Sequence, residues 1–235
     1  MSIAENIARV RERMQAAASR VGRSADSVAL MAVSKTFPAE SIREAHAAGL
    51  RLFGENRVQE FTSKAEAVQS LAGARFHMIG HLQSNKAGKA AELFHAVDSV
   101  DSLRLAEKLN EAAQKLGKKL AILIEINVGG EAAKSGIAPD SPELEAILRA
   151  APTLTNLEVR GLMAVPPFSE DPEAARPYFR HLRDLRDRLM AQNTSGIPLP
   201  ELSMGMSHDF EVAIEEGSTC VRVGTAIFGG RAYAR

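Results

Sequence analysis

The chain has 235 residues, an ordinary apolar content of 45%, and 29 basic against 29 acidic side chains, so its formal charge is zero. That length suits a single α/β barrel of about 250 residues, and the even charge excludes the basic excess of a nucleic-acid-binding surface. No stretch approaches the roughly 18 uncharged apolar residues of a membrane span, and the early charge of Met-Ser-Ile-Ala-Glu-Asn differs from a signal peptide, so the expected compartment is the cytoplasm.

In chain order, Ile3, Ile7, Val10, Met14, Ala17 and Val21 recur at helical spacing with Glu5, Arg9, Glu12 and Arg13 between them. This predicts an amphipathic helix that stops near Gly22. Short β-rich apolar runs follow at Val28–Val33, Leu50–Phe53, Arg75–Ile79, Ala96–Val100, Leu120–Val128, Leu157–Val165, Glu201–Met204 and Thr219–Val223. Segments of helical periodicity lie between them: Ala39–Ala48, Val58–Leu71, Lys86–Phe94, Leu103–Leu116, Pro142–Ala150, Pro172–Gln192 and Asp209–Glu216. Ser102, Ser141 and Asp171 stand where N-caps belong. Strands alternating with helices imply parallel βαβ units, and eight of them fit a closed (β/α)8 barrel better than an open sheet. With no linker or repeat to divide it, the chain is expected to form one domain over residues 1–235, with an extra N-terminal helix.

Barrels place function where strands end and βα-loops begin. The first strand runs into Ser34-Lys35, and an amine partly desolvated at that mouth has the lowered pKa that favours attack on a carbonyl. Alone, such a lysine reads as a solvated strand terminator. The seventh strand ends in Leu202-Ser-Met-Gly-Met-Ser-His208 and the eighth in Val221-Arg-Val-Gly-Thr-Ala-Ile-Phe-Gly229. Loops after these two strands often build a phosphate site from backbone N–H groups and a helix start. Gly205 and Gly224 allow close backbone approach, and Ser207 and Thr225 offer hydroxyls.

Arg222 inside an apolar strand needs a partner. Two readings are open: a structural pair with Glu125 or Asp209, or a guanidinium aimed at a ligand. Asn56 either lines a ligand site or caps the helix near Val58, capping being the commoner job. His77 and His81 have helical metal-site spacing but lie on a predicted strand, which does not converge two ligands, so no metal is expected. Arg180–Arg188 reads as a solvated face with i, i+4 pairs. Cys220, the one cysteine, reads as a buried structural thiol.

Taken together, Ala32-Val-Ser-Lys-Thr36, Phe53-Gly-Glu-Asn-Arg-Val-Gln-Glu60, His77-Met-Ile-Gly-His-Leu-Gln-Ser-Asn-Lys86, Lys134-Ser-Gly136, Arg160-Gly-Leu-Met163, Leu202-Ser-Met-Gly-Met-Ser207 and Val221–Gly229 closely resemble the pyridoxal phosphate (PLP) homeostasis protein family, in order along nearly the whole chain. The resemblance implies a TIM barrel like the N-terminal domain of alanine racemase, the fold-type III PLP barrel. It implies a Schiff base on Lys35, phosphate contacts from Ser207, Gly224 and Thr225, and Arg222 facing the pyridine nitrogen. Asn56 matches a pocket-lining position and Lys134 a lysine of cofactor binding or transfer. His208 stands where the family pattern has an aspartate, and no catalytic role is assigned to it.

Two functions share these features. One is a PLP carrier or buffer handing cofactor to PLP-requiring apoenzymes; the alternative is an amino-acid racemase or related enzyme. A racemase of this type needs a base on each face of the cofactor, the second a tyrosine from a further domain of a partner subunit. The sequence stops soon after strand eight, and its tyrosines are Tyr178, on a predicted outer helix, and Tyr233, near the end. Gly161–Val165 lacks the histidine that packs on the racemase cofactor. The carrier is therefore the expected function, as a monomer.

Overall fold

The computed structural model describes residues 1–131, 135–192 and 196–230. Helix α1 (Ile3–Arg20) opens on Ser2, whose hydroxyl accepts from Glu5 N–H while the Glu5 carboxylate accepts from Ser2 N–H, a reciprocal cap. Eight parallel strands then close into a barrel in sequence order: β1 (Ala29–Val33), β2 (Leu52–Glu55), β3 (Arg75–Met78), β4 (Ala96–Val100), β5 (Leu120–Ile126), β6 (Leu157–Ala164), β7 (Glu201–Met206) and β8 (Cys220–Val223). The intervening helices are α2 (Ala39–Ala47), α3 (Val58–Val68), α4 (Ala87–Leu93), α5 (Leu103–Lys115), α6 (Pro142–Ala150), α7 (Arg176–Gln192) and α8 (Phe210–Glu215), with a short α9 (Thr225–Phe228) after β8. The chain is a (β/α)8 TIM barrel.

Ser102, Ser141 and Asp171 cap as their sequence positions suggest, accepting from the N–H groups of Leu105, Glu143 and Glu173. Between the strands and the helix ring lies the apolar core, where Phe61 of α3 packs on both Phe76 and Phe94, and Phe76 on Phe53. Helix α1 packs beside α8 and α9: Arg13 forks onto Glu211, and Asn6 donates to the Ile227 carbonyl. Among the described residues no helix is long and apolar enough to cross a membrane.

Three local expectations change. Strand β2 begins two residues later than predicted, because Leu50 N–H still donates to Ala45 O and closes the end of α2. The shift carries Glu55 into the strand, fully buried. Helix α9 has too few residues to give a period in the sequence. The charges of α7 make no i, i+4 pairs among the described residues: Arg176, Arg180 and Arg183 converge on buried Glu216, tying α7 to the end of α8, while Arg183 and Arg186 meet their chain neighbours Asp184 and Asp187.

Candidate functional site

The C-terminal ends of β1, β8 and β7 lie side by side. Ala32 pairs with Val223 and Met31 with Arg222, while Met206 of β7 also pairs with Arg222. Lys35 therefore follows β1 next to the loop that leaves β8, and its side chain is half-buried. The two loops touch directly, with Phe37 and Phe228 ring centroids 4.9 Å apart. A methyl group added at Gly224 would lie 3.4 Å from the Val33 carbonyl oxygen, so glycine lets the β8 loop lie close against β1.

The backbone around Lys35 is held from behind. Thr36 adopts φ +67°, a left-handed conformation costly for a β-branched residue, and its N–H donates to the Glu60 carboxylate. Lys64, midway along α3, donates to the Ser34 and Phe37 carbonyls at 3.2 Å each and to both Glu55 oxygens at 2.9 and 3.1 Å. Ser34 Oγ donates to Glu55 as well, at 2.7 Å. Burial lifts the Glu55 carboxyl above its ordinary range, and the Lys64 ammonium works against that. This buried cluster fixes the turn that presents Lys35. Sequence reasoning missed it, because Lys64 on an amphipathic helix looks like an ordinary surface lysine. The available signal was Glu55, an acid at the end of an apolar run.

Ser207, after β7, faces the start of α9. The Gly224 and Ala226 N–H groups donate to its Oγ at 3.1 and 3.4 Å. Hydroxyl and amides thus gather at one point beside Thr225, a donor set suited to a phosphate.

Arg222 is 3% exposed, and its hydrogen bonds settle part of its dual reading. One terminal nitrogen donates to the Ser203 carbonyl and hydroxyl at 2.6 and 2.7 Å, the other to the Ala164 carbonyl at 2.8 Å. Its hydrogen bonds go to Ser203 and Ala164 rather than to Glu125 or Asp209. The guanidinium is a fixed positive charge at the barrel centre.

Asn56 does not cap α3: the N-cap residue is Arg57, and no side chain caps it. Instead the Asn56 backbone passes so close to Gly80 that an added methyl there would sit 2.4 Å from the Asn56 oxygen. Only glycine admits that approach. Lys134 falls outside the described residues. His208 is exposed and its Nε2–H donates to the Glu170 carbonyl in the loop after β6.

Glu125, offered by the sequence only as a possible partner of Arg222, has a role of its own. Leu123 faces the barrel interior, and Glu125, two residues on, faces it one layer nearer the mouth. It is 8% exposed, and its Oε2 has no hydrogen-bond partner among the described residues. Burial first, then the Asp101 carboxylate, push its pKa up to about 7, opposed by Arg222. Below about pH 4.5 the carboxyl is neutral folded or unfolded. Between 4.5 and 7 only the folded state keeps the proton, so stability falls with rising pH across that window. For ligand-free protein the loss is about 3 kcal/mol by pH 8, from a shift of this size. Glu125→Gln should remove that loss, measured by urea unfolding at pH 4.5 and 8; parallel profiles for the two proteins would contradict it.

The residues present fit a ligand with an electrophilic carbon at one end and a phosphate at the other. Residues 3–232 match the family model described as alanine racemase, N-terminal domain. The pyridoxal phosphate homeostasis protein of Aquifex aeolicus is 47% identical over 233 residues, 99% of this chain and 100% of that protein. Among solved structures, PipY of Synechococcus elongatus without PLP superposes with a TM-score of 0.86 at 40% identity, over 97% of this chain and all of PipY. PipY with PLP bound gives 0.84 at 39% identity, with the same coverage.

Proposed function

Because the chain belongs to the pyridoxal phosphate homeostasis protein family, within the fold of the alanine racemase N-terminal domain, we propose that it binds PLP covalently on Lys35 and stores or delivers it without catalysing a reaction. The observation that carries this is the adjacency of the Lys35 turn and the Ser207–Gly224–Thr225 donors at one barrel mouth. Bound there, PLP would supply an aldehyde to the lysine amine and an electron-withdrawing pyridine ring. Ser207, Gly224 and Thr225 would hold the phosphate, Asn56 would line the pocket, and Arg222 would face the ring nitrogen. Lys134 is a further candidate contact. We place the protein in the cytoplasm, acting as one unit over residues 1–235, with PLP-requiring apoenzymes as its partners.

The charge on Arg222 argues against turnover. A guanidinium fixed by Ser203 and Ala164 cannot yield a proton to the ring nitrogen and disfavours protonation there. The ring stays a poor sink for a carbanion unless bases on both faces do the work. Tyr178, the tyrosine among the described residues, is half-buried on α7, outside the barrel. Met163 and Ala164 end β6 with no histidine to pack on the ring.

Two assays test the carrier. Loaded protein mixed with a PLP-requiring apoenzyme, in the presence of a PLP trap, should restore activity where the same amount of free PLP does not; equal quenching of both would contradict delivery. Single-enantiomer alanine should stay unracemised. Conversion at ordinary enzyme rates, roughly 1 per second or faster, would overturn the non-catalytic reading.

A further inference from the structure

The N-terminal ends of the strands form a second chamber. Ala29, Ala96, Ala121 and Cys220 hold inward positions there, where barrels ordinarily carry branched bulk. Their small side chains leave a cavity of about 290 Å³, near the lower bound of roughly 300 Å³ for small-molecule sites. Met31, Leu123, His77, Asp98 and Ser203 form its inner end. Exposed Arg51, Arg75 and Arg160 stand with Glu201 at its opening. The chamber lies at the end of the barrel away from Lys35.

A cavity that stays empty is apolar. This one contains a buried polar pair. Asp98, 2% exposed, accepts from His77 Nδ1 at 3.1 Å. His77 Nε2 is then buried with no hydrogen-bond partner among the described residues. An unmatched ring nitrogen and a buried carboxylate cost stability that leucine and valine would not. A ligand atom bonded to Nε2 offsets that cost.

The opening has a definite charge. Glu201 is engaged by Arg160 at 2.6 Å, and Arg51 donates to the His46 and Leu50 carbonyls. Arg75 makes no ion pair among the described residues and is exposed at the rim. A cation at the entrance, an apolar middle and a hydrogen-bonding nitrogen at the far end specify one kind of molecule.

We propose that this chamber is a second ligand site, for a small aromatic or aliphatic monocarboxylate bearing a hydroxyl at the end away from its carboxylate. The carboxylate meets Arg75, the apolar body lies among Ala96, Ala121 and Leu123, and the hydroxyl donates to His77 Nε2. The site needs no cofactor at the other mouth. Its inner end shares Ser203 with Arg222, so the two ends of the barrel meet at one hydroxyl.

The test uses full-length protein labelled with ¹⁵N-histidine and 4-hydroxyphenylacetate as the probe, the His77 signal being assigned by its loss in His77→Gln. A saturable shift of that signal is expected, with a Kd of about 1 mM or tighter. Phenylacetate, without the hydroxyl, and Arg75→Ala should each weaken binding about five- to tenfold. Ala121→Phe, which fills the chamber, should abolish it, and Ala96→Leu serves if that variant does not fold. Absence of a saturable His77 shift would overturn the site. So would an undiminished shift in the filled variant, or equal affinity for phenylacetate or for the neutral 4-hydroxyphenylacetamide.

Discussion

Lys35→Ala protein should bind PLP without the visible absorption that attachment to a lysine produces, and the loss should be complete. No other described lysine shares Lys35's place. Lys64, which donates to carbonyls of the same turn, is 8% exposed and bound to Glu55, Ser34 and Phe37. The phosphate donors at Ser207, Gly224 and Thr225 remain in the variant, so a weaker noncovalent complex should persist and exchange quickly with free PLP. Spectral titration of the purified variant beside wild type separates these effects. Retention of the wild-type spectrum would mean that another amine carries the cofactor.

Lys64→Met should cost about 3–5 kcal/mol of stability, the usual penalty for removing one partner of a buried ion pair. Its methylene stem is replaced, but Glu55 keeps only the Ser34 hydroxyl, the Phe37 carbonyl loses the Lys64 ammonium, and the Ser34 carbonyl keeps only the Phe37 N–H. Part of the loss should be recovered in Lys64→Met with Glu55→Leu, because the stranded carboxylate is then gone. Urea unfolding of the two single variants and the double variant measures the coupling. A cost below about 1 kcal/mol, the value of an exposed pair, would show that the cluster does not hold the Lys35 turn.

The barrel was legible because its strands are short apolar runs and its helices keep their period, from Ile3 in α1 to Leu189 in α7. The deviations arise where local signals compete. Leu50 is apolar and next to a strand, yet its N–H closes α2, which moves β2 onward and buries Glu55. Helix α9 is a single turn and leaves no periodic trace.

At the site, the lysine after β1 and the paired motifs after β7 and β8 stood out because barrel topology gives those positions meaning. The supporting groups did not stand out. Lys64 with Glu55 and His77 with Asp98 meet across neighbouring elements, and such register is absent from spacing along the chain. His77 and His81, four residues apart, each find a separate carboxylate, Asp98 and Asp101, supplied by or just beyond the next strand. Among the described residues no group of three or more such side chains gathers to hold a metal.

The central claim is the covalent attachment point, and borohydride reduction of PLP-loaded wild-type protein tests it most directly. Peptide mass mapping after reduction should find the added pyridoxyl phosphate group on the peptide containing Lys35, and on no other in comparable amount. Label recovered chiefly at Lys64, Lys134 or surface lysines, with Lys35 unmodified, would contradict the account.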